Sequence, residues 1–490
     1  MAGPRYTQVK KLADPSAFRD HLASLGVEIP FEDAVDPAGV LAAPMPITDG
    51  IDAAFDTEFG GELGGQRTHV APNRWAVLPM EGWDGDADGR PTDLVRRRWD
   101  RFATSGAGLV WGEATAVRHD GKANPNQLVL DESTVDDIAA LRARLDPRQV
   151  TVLQLTHSGR YARPSAAGPA PRTLYRHPLL DGRVNAGDDE LFTDDEIDEL
   201  VDQFVDRAVL AQQAGFDFVD VKACHGYLGH EFLSAHFRDG KYGGDLLGRT
   251  QFVRSVVEGI RAKAPGLGVA IRLSFFDLVP HVPGEGGTGV PEWQPGEREA
   301  YPLAFGGDGS GLGYDLTETH ALLDVLRMLG VGLVCATAGS PYYVPHVQRP
   351  AFFPPSDGYQ PPEDPLIGVA RLIAATAEVT NHHPEMRIVA AGLSYLQEWL
   401  PHVGQAMIAG GASDAVGLGR MILSYPHMPA DVLAGRELER RLLCRTFSDC
   451  TTAPRGGLVS GCYPLDDFYK AREERVQLAA FKKDAKARLR

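Results

Sequence analysis

From residue 73 onward the chain alternates between two textures. Short apolar runs at 74–79, 108–112, 150–155, 216–221, 268–273, 332–336, 387–391 and 415–418 each predict a strand. Between most of them lie longer stretches at 91–104, 133–145, 194–214, 248–264, 317–329, 364–379 and 395–409, which predict helices. In the stretch 194–214, Ile197, Leu200, Val201, Phe204 and Ala208 recur at helical spacing and share one face. Strands separated by helices or long loops argue for a parallel sheet. Eight such units argue for an α/β fold of the closed (β/α)8 TIM barrel type, with a doubly wound open sheet as the alternative.

Two long connections follow the third and fifth strands, at 156–193 and 274–316. Insertions that leave the C-terminal ends of barrel strands build lids and substrate walls. Outside the barrel, residues 1–72 read as an N-terminal extension rich in Pro, Gly, Asp and Ala, with short helical patches and no strand series. The barrel occupies 73–430. Residues 431–490 form a C-terminal extension carrying Cys444, Cys450 and Cys462, too short for a nucleotide-binding domain of ordinary size.

Of 490 residues, 43% are hydrophobic and 23% charged, the balance of an ordinary globular protein. The net charge of −17 sets the surface as a whole against nucleic acid and anionic membrane. No apolar run approaches the roughly 20 residues of a membrane helix, and residues 1–18 hold no secretory apolar segment. Five cysteines in so long a chain are not a disulfide scaffold. A cytoplasmic protein acting on a small molecule is the expectation.

The run 216–221 delivers Lys222, His225 and Tyr227 within six residues. Proton-active side chains at the tip of a barrel strand are placed as catalytic groups are. Other strand ends carry Asn73-Arg74, Leu78-Pro79-Met80, Glu113-Ala114 and the segment Gln154-Leu155-Thr156-His157-Ser158-Gly159-Arg160. Further along come Tyr242-Gly243-Gly244, Arg249, Arg272-Leu273-Ser274, Ala391-Gly392-Leu393 and Gly417-Leu418-Gly419-Arg420. Together, and in this order over residues 73–430, these segments resemble the old yellow enzyme family of FMN-dependent oxidoreductases.

The resemblance implies FMN as cofactor and NAD(P)H as electron donor, with hydride passing to an activated C=C bond of an unsaturated carbonyl-type small molecule, or the reverse desaturation. It implies that Pro79, Met80, Glu81, Ala114, Gln154, Arg272, Gly392, Leu393, Gly419 and Arg420 hold FMN. Arg272 suits the anionic edge of a reduced flavin, Gln154 a pyrimidine edge, and the two glycine segments with Arg420 a phosphate. Tyr227 matches the family's proton donor and His225 one of its two ligands for the substrate oxygen. The chain departs from the pattern twice. Lys222 stands where the second oxygen ligand is usually His or Asn, which favours a carboxylate, phenolate or enolate oxygen. Glu81 stands where many members carry Cys or Thr beside the flavin; its carboxylate either opposes the reduced, anionic flavin or turns away into the loop of Gly82, Trp83 and Asp84. The resemblance leaves a homo-oligomer open.

Larger family members carry an iron–sulfur cluster on four cysteines. Only Cys450 and Cys462 keep that spacing here, while Leu443 and Thr446 occupy ligand positions, so no cluster is expected. No metal site is expected either. His225, His230, Glu231 and His236 lack a shared face, and the glycine-rich segment 284–289 lies in a Pro-rich loop without the helix a dinucleotide site needs. The aromatic-rich insertion 340–365 suits a wall over the barrel mouth. Two other readings stand beside the flavin enzyme: a Schiff-base aldolase-type barrel using Lys222, and a flavin-binding protein without turnover.

Overall fold

The computed structural model describes residues 6–51, 65–293, 300–356 and 358–488. Its centre is a closed barrel of eight parallel strands, β3 (Trp75–Val77), β4 (Leu109–Ala116), β5 (Val150–Thr156), β6 (Phe218–Ala223), β7 (Gly268–Ser274), β10 (Leu333–Thr337), β11 (Arg387–Ala390) and β12 (Ala415–Leu418). The ring closes where β12 pairs with β3, Leu418 opposite Val77. Except for Arg387 at the start of β11, every barrel-strand residue is buried, as expected for a parallel sheet covered on both faces.

The outer layer contains α2 (Asp93–Ala103), α3 (Val135–Arg142), α4 (Asp194–Gln213), α5 (Leu246–Lys263), α6 (Thr317–Met328), α7 (Pro365–His382) and α8 (Leu400–Ala409). α4 opens on a full capping box, Thr193 and Glu196 each satisfying the other's backbone N–H. Its apolar stripe of Ile197, Leu200, Phe204 and Ala208 is buried, as the spacing predicts.

The N-terminal residues hold more regular structure than their composition suggests. Helix α1 (Pro15–Leu25) starts at an Asp14 cap and stops at Gly26, whose φ of +66° is left-handed. Its Phe18 ring stacks on Trp399, with centroids 4.8 Å apart. Strands β1 (Met45–Asp49) and β2 (Arg67–Ala71) pair antiparallel, where the sequence shows no strand series. Met45, Ile47 and Ala71 pack with Leu109, Trp111, Val150 and Leu333 from the barrel, and Asp49 meets buried Arg261 at 2.7 Å. Only Ala71 of β2 is buried and the partner strand is many residues away, which hides the pairing from a local pattern. The glycine-rich segment near residue 285 lies between two short strands, β8 (His281–Pro283) and β9 (Gly289–Pro291), and opens no helix of the dinucleotide-binding kind.

The two long insertions meet over one side of the barrel, where His177 Nε2 lies 3.1 Å from the Tyr301 hydroxyl. The C-terminal segment, with helices α9 (Asp449–Arg455) and α10 (Glu474–Arg488), lies against the barrel. Arg97 of α2 reaches Asp466 at 3.0 Å, and Arg455 donates to the Pro341 carbonyl at 2.9 Å.

Candidate active site

Sheet register assembles the polar centre. Gln154 lies opposite Asp220 across β5 and β6, and Lys222 lies opposite Arg272 across β6 and β7. After β6 two successive residues take left-handed backbone, His225 at φ +66° and Gly226 at φ +77°. A histidine in that region is strained and held by its surroundings. Its N–H bonds Ser274 Oγ at 3.1 Å, and a Cβ on Gly226 would sit 2.9 Å from the Tyr343 ring. The turn delivers Tyr227 as the cap of the short helix Leu228–Leu233, with its ring inside the barrel mouth.

One cavity is lined by Pro79, Met80, Glu81, Gln154, Lys222, His225, Tyr227, Arg272, Gly392, Gly419 and Arg420. Ala114 and Leu393, expected to hold FMN, are buried and are not among its lining residues. The cavity extends to the C-terminal segment, where Cys450, Cys462 and Tyr469 complete the lining.

Asp220, unremarked in the sequence, organises the first wall. Its carboxylate accepts from Gln154 Nε2 at 2.5 Å, Trp111 Nε1 at 2.9 Å and the Arg272 backbone at 2.6 Å. Burial outweighs these donors and lifts its carboxyl to about 6. A lone carboxylate inside an apolar strand was the signal that could have found it. With one amide N–H of Gln154 committed to Asp220, its oxygen is left as an acceptor. Arg272 donates from Nη1 to the Pro79 carbonyl at 2.7 Å, while its buried Nε has no hydrogen-bond partner among the described residues. Arg420 is similar: Nη2 bonds the Pro350 carbonyl at 2.8 Å and buried Nη1 has no hydrogen-bond partner among the described residues. Gly392, at φ +82°, leaves no room for a side chain, since a Cβ would lie 2.4 Å from Leu372.

The second wall joins the two departures from the family pattern. The Tyr227 hydroxyl donates to Glu81 and lies 2.8 Å from the Tyr342 hydroxyl. Trp83 Nε1 and Asn124 Nδ2 donate to the same Glu81 carboxylate at 3.1 and 3.2 Å. The Lys222 ammonium sits 3.6 Å from the centroid of the Tyr227 ring. Burial, with Glu81 and Tyr342 nearby, holds the Tyr227 phenol well above its ordinary range, so it is protonated at neutral pH. Burial likewise lowers Lys222. His225 is pushed well down by burial, Arg272 and Lys222, so its imidazole is neutral, and Nε2 lies 3.0 Å from Thr337 Oγ1 and 3.3 Å from Gln348 Nε2. Tyr161 stacks on Tyr342 at 3.9 Å and backs this wall.

The turn after Glu81 passes a buried charge cluster at Gly82. Arg98 bonds Asp84 at 2.5 Å and Glu113 at 2.8 Å, and Trp99 Nε1 donates to Glu113 at 2.9 Å. A Cβ on Gly82 would lie 2.2 Å from Glu113 Oε2, so the chain passes the cluster only as glycine. Elsewhere Glu231 is taken by Arg160, and His230 Nδ1 accepts from the Gly226 N–H at 2.9 Å. The C-terminal segment supplies three thiols, short of the four an iron–sulfur cluster usually needs.

Residues 69–287 match the model of the NADH:flavin oxidoreductase / NADH oxidase family. An NADPH dehydrogenase of Clostridium acetobutylicum is 30% identical over 224 residues, 44% of this chain and 62% of its own length. An NADH:flavin oxidoreductase of Gibberella zeae is 27% identical over 293 residues, 55% of this chain and 64% of its own. The chain thus spans about three fifths of these curated relatives. Among solved structures, histamine dehydrogenase from Rhizobium sp. 4-9 superposes with a TM-score of 0.61 at 18% identity, over 89% of this chain and 53% of that one. An old yellow enzyme homologue from Zymomonas mobilis gives 0.52 at 21%, over 76% and 91%. At such identities the likeness speaks for the fold.

Proposed function

We propose, from the match of residues 69–287 to the NADH:flavin oxidoreductase / NADH oxidase family model, that the chain is a member of that family, that its barrel cavity binds FMN and that the protein is an FMN-dependent oxidoreductase fed by NAD(P)H. The observation that carries the reading is a pair of buried arginine nitrogens, Arg272 Nε and Arg420 Nη1, that have no hydrogen-bond partner among the described residues and belong to side chains on the wall of one cavity. Buried guanidinium N–H groups left unbonded are costly unless a ligand takes them. A flavin offers an anionic ring edge to one and a phosphate to the other.

FMN, when bound, supplies the centre that accepts and returns hydride. The residues here do the rest. Gln154, oriented by Asp220, would hold the ring with its amide, and Arg272 would supply positive charge to the reduced ring. Gly392, Gly419 and Arg420 would hold the phosphate. Lys222 and neutral His225 hold an oxygen of the substrate. Tyr227 holds at its hydroxyl the proton that the neighbouring carbon takes in reduction and gives back in desaturation, and Glu81 orients that hydroxyl as its hydrogen-bond acceptor. The substrate is an activated alkene whose oxygen gathers negative charge, the property a lysine favours over a neutral partner.

The test is the absorption spectrum of the purified protein and of the flavin released from it. One FMN per chain, bleached anaerobically by NADH or NADPH and recoloured by an enone, supports the reading; a colourless protein that takes up no added FMN sinks it. Flavin that bleaches but is not recoloured would favour a binding protein without turnover, and borohydride trapping of a substrate on Lys222 would favour aldolase chemistry.

Two variants examine the second wall. Lys222→Ala should weaken binding of a phenolate ligand by about 10- to 100-fold, the value of a charge-assisted hydrogen bond; unchanged affinity places Lys222 outside the oxygen site. Glu81→Gln keeps the shape and removes the charge of the carboxylate that accepts from Tyr227. Turnover with an enone should change by about tenfold, with flavin reduction by NAD(P)H unaltered. Unchanged turnover would make Glu81 a structural partner of Tyr227 only.

A further inference from the structure

Away from the cavity, three imidazoles meet between two outer helices. His320 lies in the first turns of α6, His382 ends α7 and His383 follows it. Their ligating nitrogens all lie within 4.8 Å of one another. His320 Nδ1 and His383 Nε2 are 3.1 Å apart. Two imidazoles on a tetrahedral zinc, each bonded at roughly 2.0–2.1 Å, hold their nitrogens about 3.3 Å apart, so this pair already has that spacing.

The outward nitrogens strengthen the case. His320 Nε2 faces Glu378 Oε1 at 3.5 Å, and His383 Nδ1 faces Asp324 Oδ1 at 3.7 Å. Each of these two histidines therefore turns one nitrogen to the shared centre and the other to a carboxylate. A carboxylate behind the ring fixes the tautomer and raises ligand basicity at metal-bound histidines. His383 is buried, which fixes its place, whereas His382 is exposed and lies against the His320 ring with centroids 4.1 Å apart. A modest turn of that exposed side chain supplies a third nitrogen.

We propose that His320, His382 and His383 form a binding site for a borderline transition-metal cation of the Zn2+ type, with Asp324 and Glu378 behind the ligands and water in the fourth position. The ion would tie the start of α6 to the end of α7, the helices that precede β10 and β11. None of the five residues lines the cavity, so the proposal does not depend on the flavin reading.

The full-length protein, stripped of metal and dialysed, would be titrated with Zn2+ against a chromophoric chelator. One zinc per chain is expected, with a melting temperature that rises on zinc addition. His382→Ala, a change at an exposed position, should weaken zinc at least tenfold and abolish the thermal shift, while flavin content stays unchanged. Asp324→Asn should weaken it about 10- to 100-fold. Absence of stoichiometric binding overturns the proposal. So does zinc affinity unaltered by His382→Ala, which would place the ion elsewhere, for example on Cys450 and Cys462.

Discussion

Tyr227→Phe is expected to slow enone reduction by about 10²- to 10⁴-fold, the range of a positioned general acid, while flavin reduction by NAD(P)H keeps its rate. The substitution removes one oxygen. The ring remains to pack under the Lys222 ammonium and beside Tyr342, and Glu81 retains Trp83 and Asn124 as donors. What disappears is the proton that must reach substrate carbon as hydride arrives on its neighbour. Electron transfer from NAD(P)H needs no proton from that hydroxyl, so stopped-flow measurement of the two half-reactions separates the roles. Equal slowing of both would show that the ring positions ligands and that the proton comes from elsewhere.

The second large effect is on stability. Arg98→Leu should cost about 3–5 kcal/mol, because it strands two buried carboxylates, Asp84 and Glu113, without their shared cation. Burial already raises the Glu113 carboxyl, and Arg98 is the chief group opposing that rise. In the variant the carboxyl climbs further. A group with a raised folded pKa contributes stability that is lost as pH rises through that value, so the deficit should grow from pH 5 to pH 8. Urea unfolding of the flavin-free proteins at both pH values measures it. A difference below about 1 kcal/mol at pH 8 would mean that water or rearrangement replaces the guanidinium. The cluster underlies the turn that carries Glu81, so flavin affinity should fall with stability.

The barrel was legible in the sequence because its evidence is local. Apolar runs and helical stripes repeat within a dozen residues, and the run at 415–418 has the same bounds as β12. Gln154, Lys222, His225, Tyr227 and Arg272 stood out in the sequence for the same reason, since they lie on or just after three of these strands, β5, β6 and β7. The hydrogen bond from Tyr227 to Glu81 was not, because it joins side chains 146 residues apart and depends on how two loops lean over the mouth. Asp220 was hidden differently: its meaning lies in Gln154 and Trp111, on two other strands. The β1–β2 pair and the C-terminal wall share this character, since neither local propensity nor periodicity records what a segment packs against.

That C-terminal wall has a consequence for biosynthesis. The first strand of the barrel is made by residue 77 and the last by Leu418, but Cys450, Cys462 and Tyr469, which complete the cavity lining, come later in the chain. Domains fold as they emerge, so the nascent chain can close its ring of strands at β12 while the chamber still lacks a side. Cofactor retention would then wait for the segment 450–469, and a chain truncated before Cys450 should release on washing the flavin that the longer chain keeps.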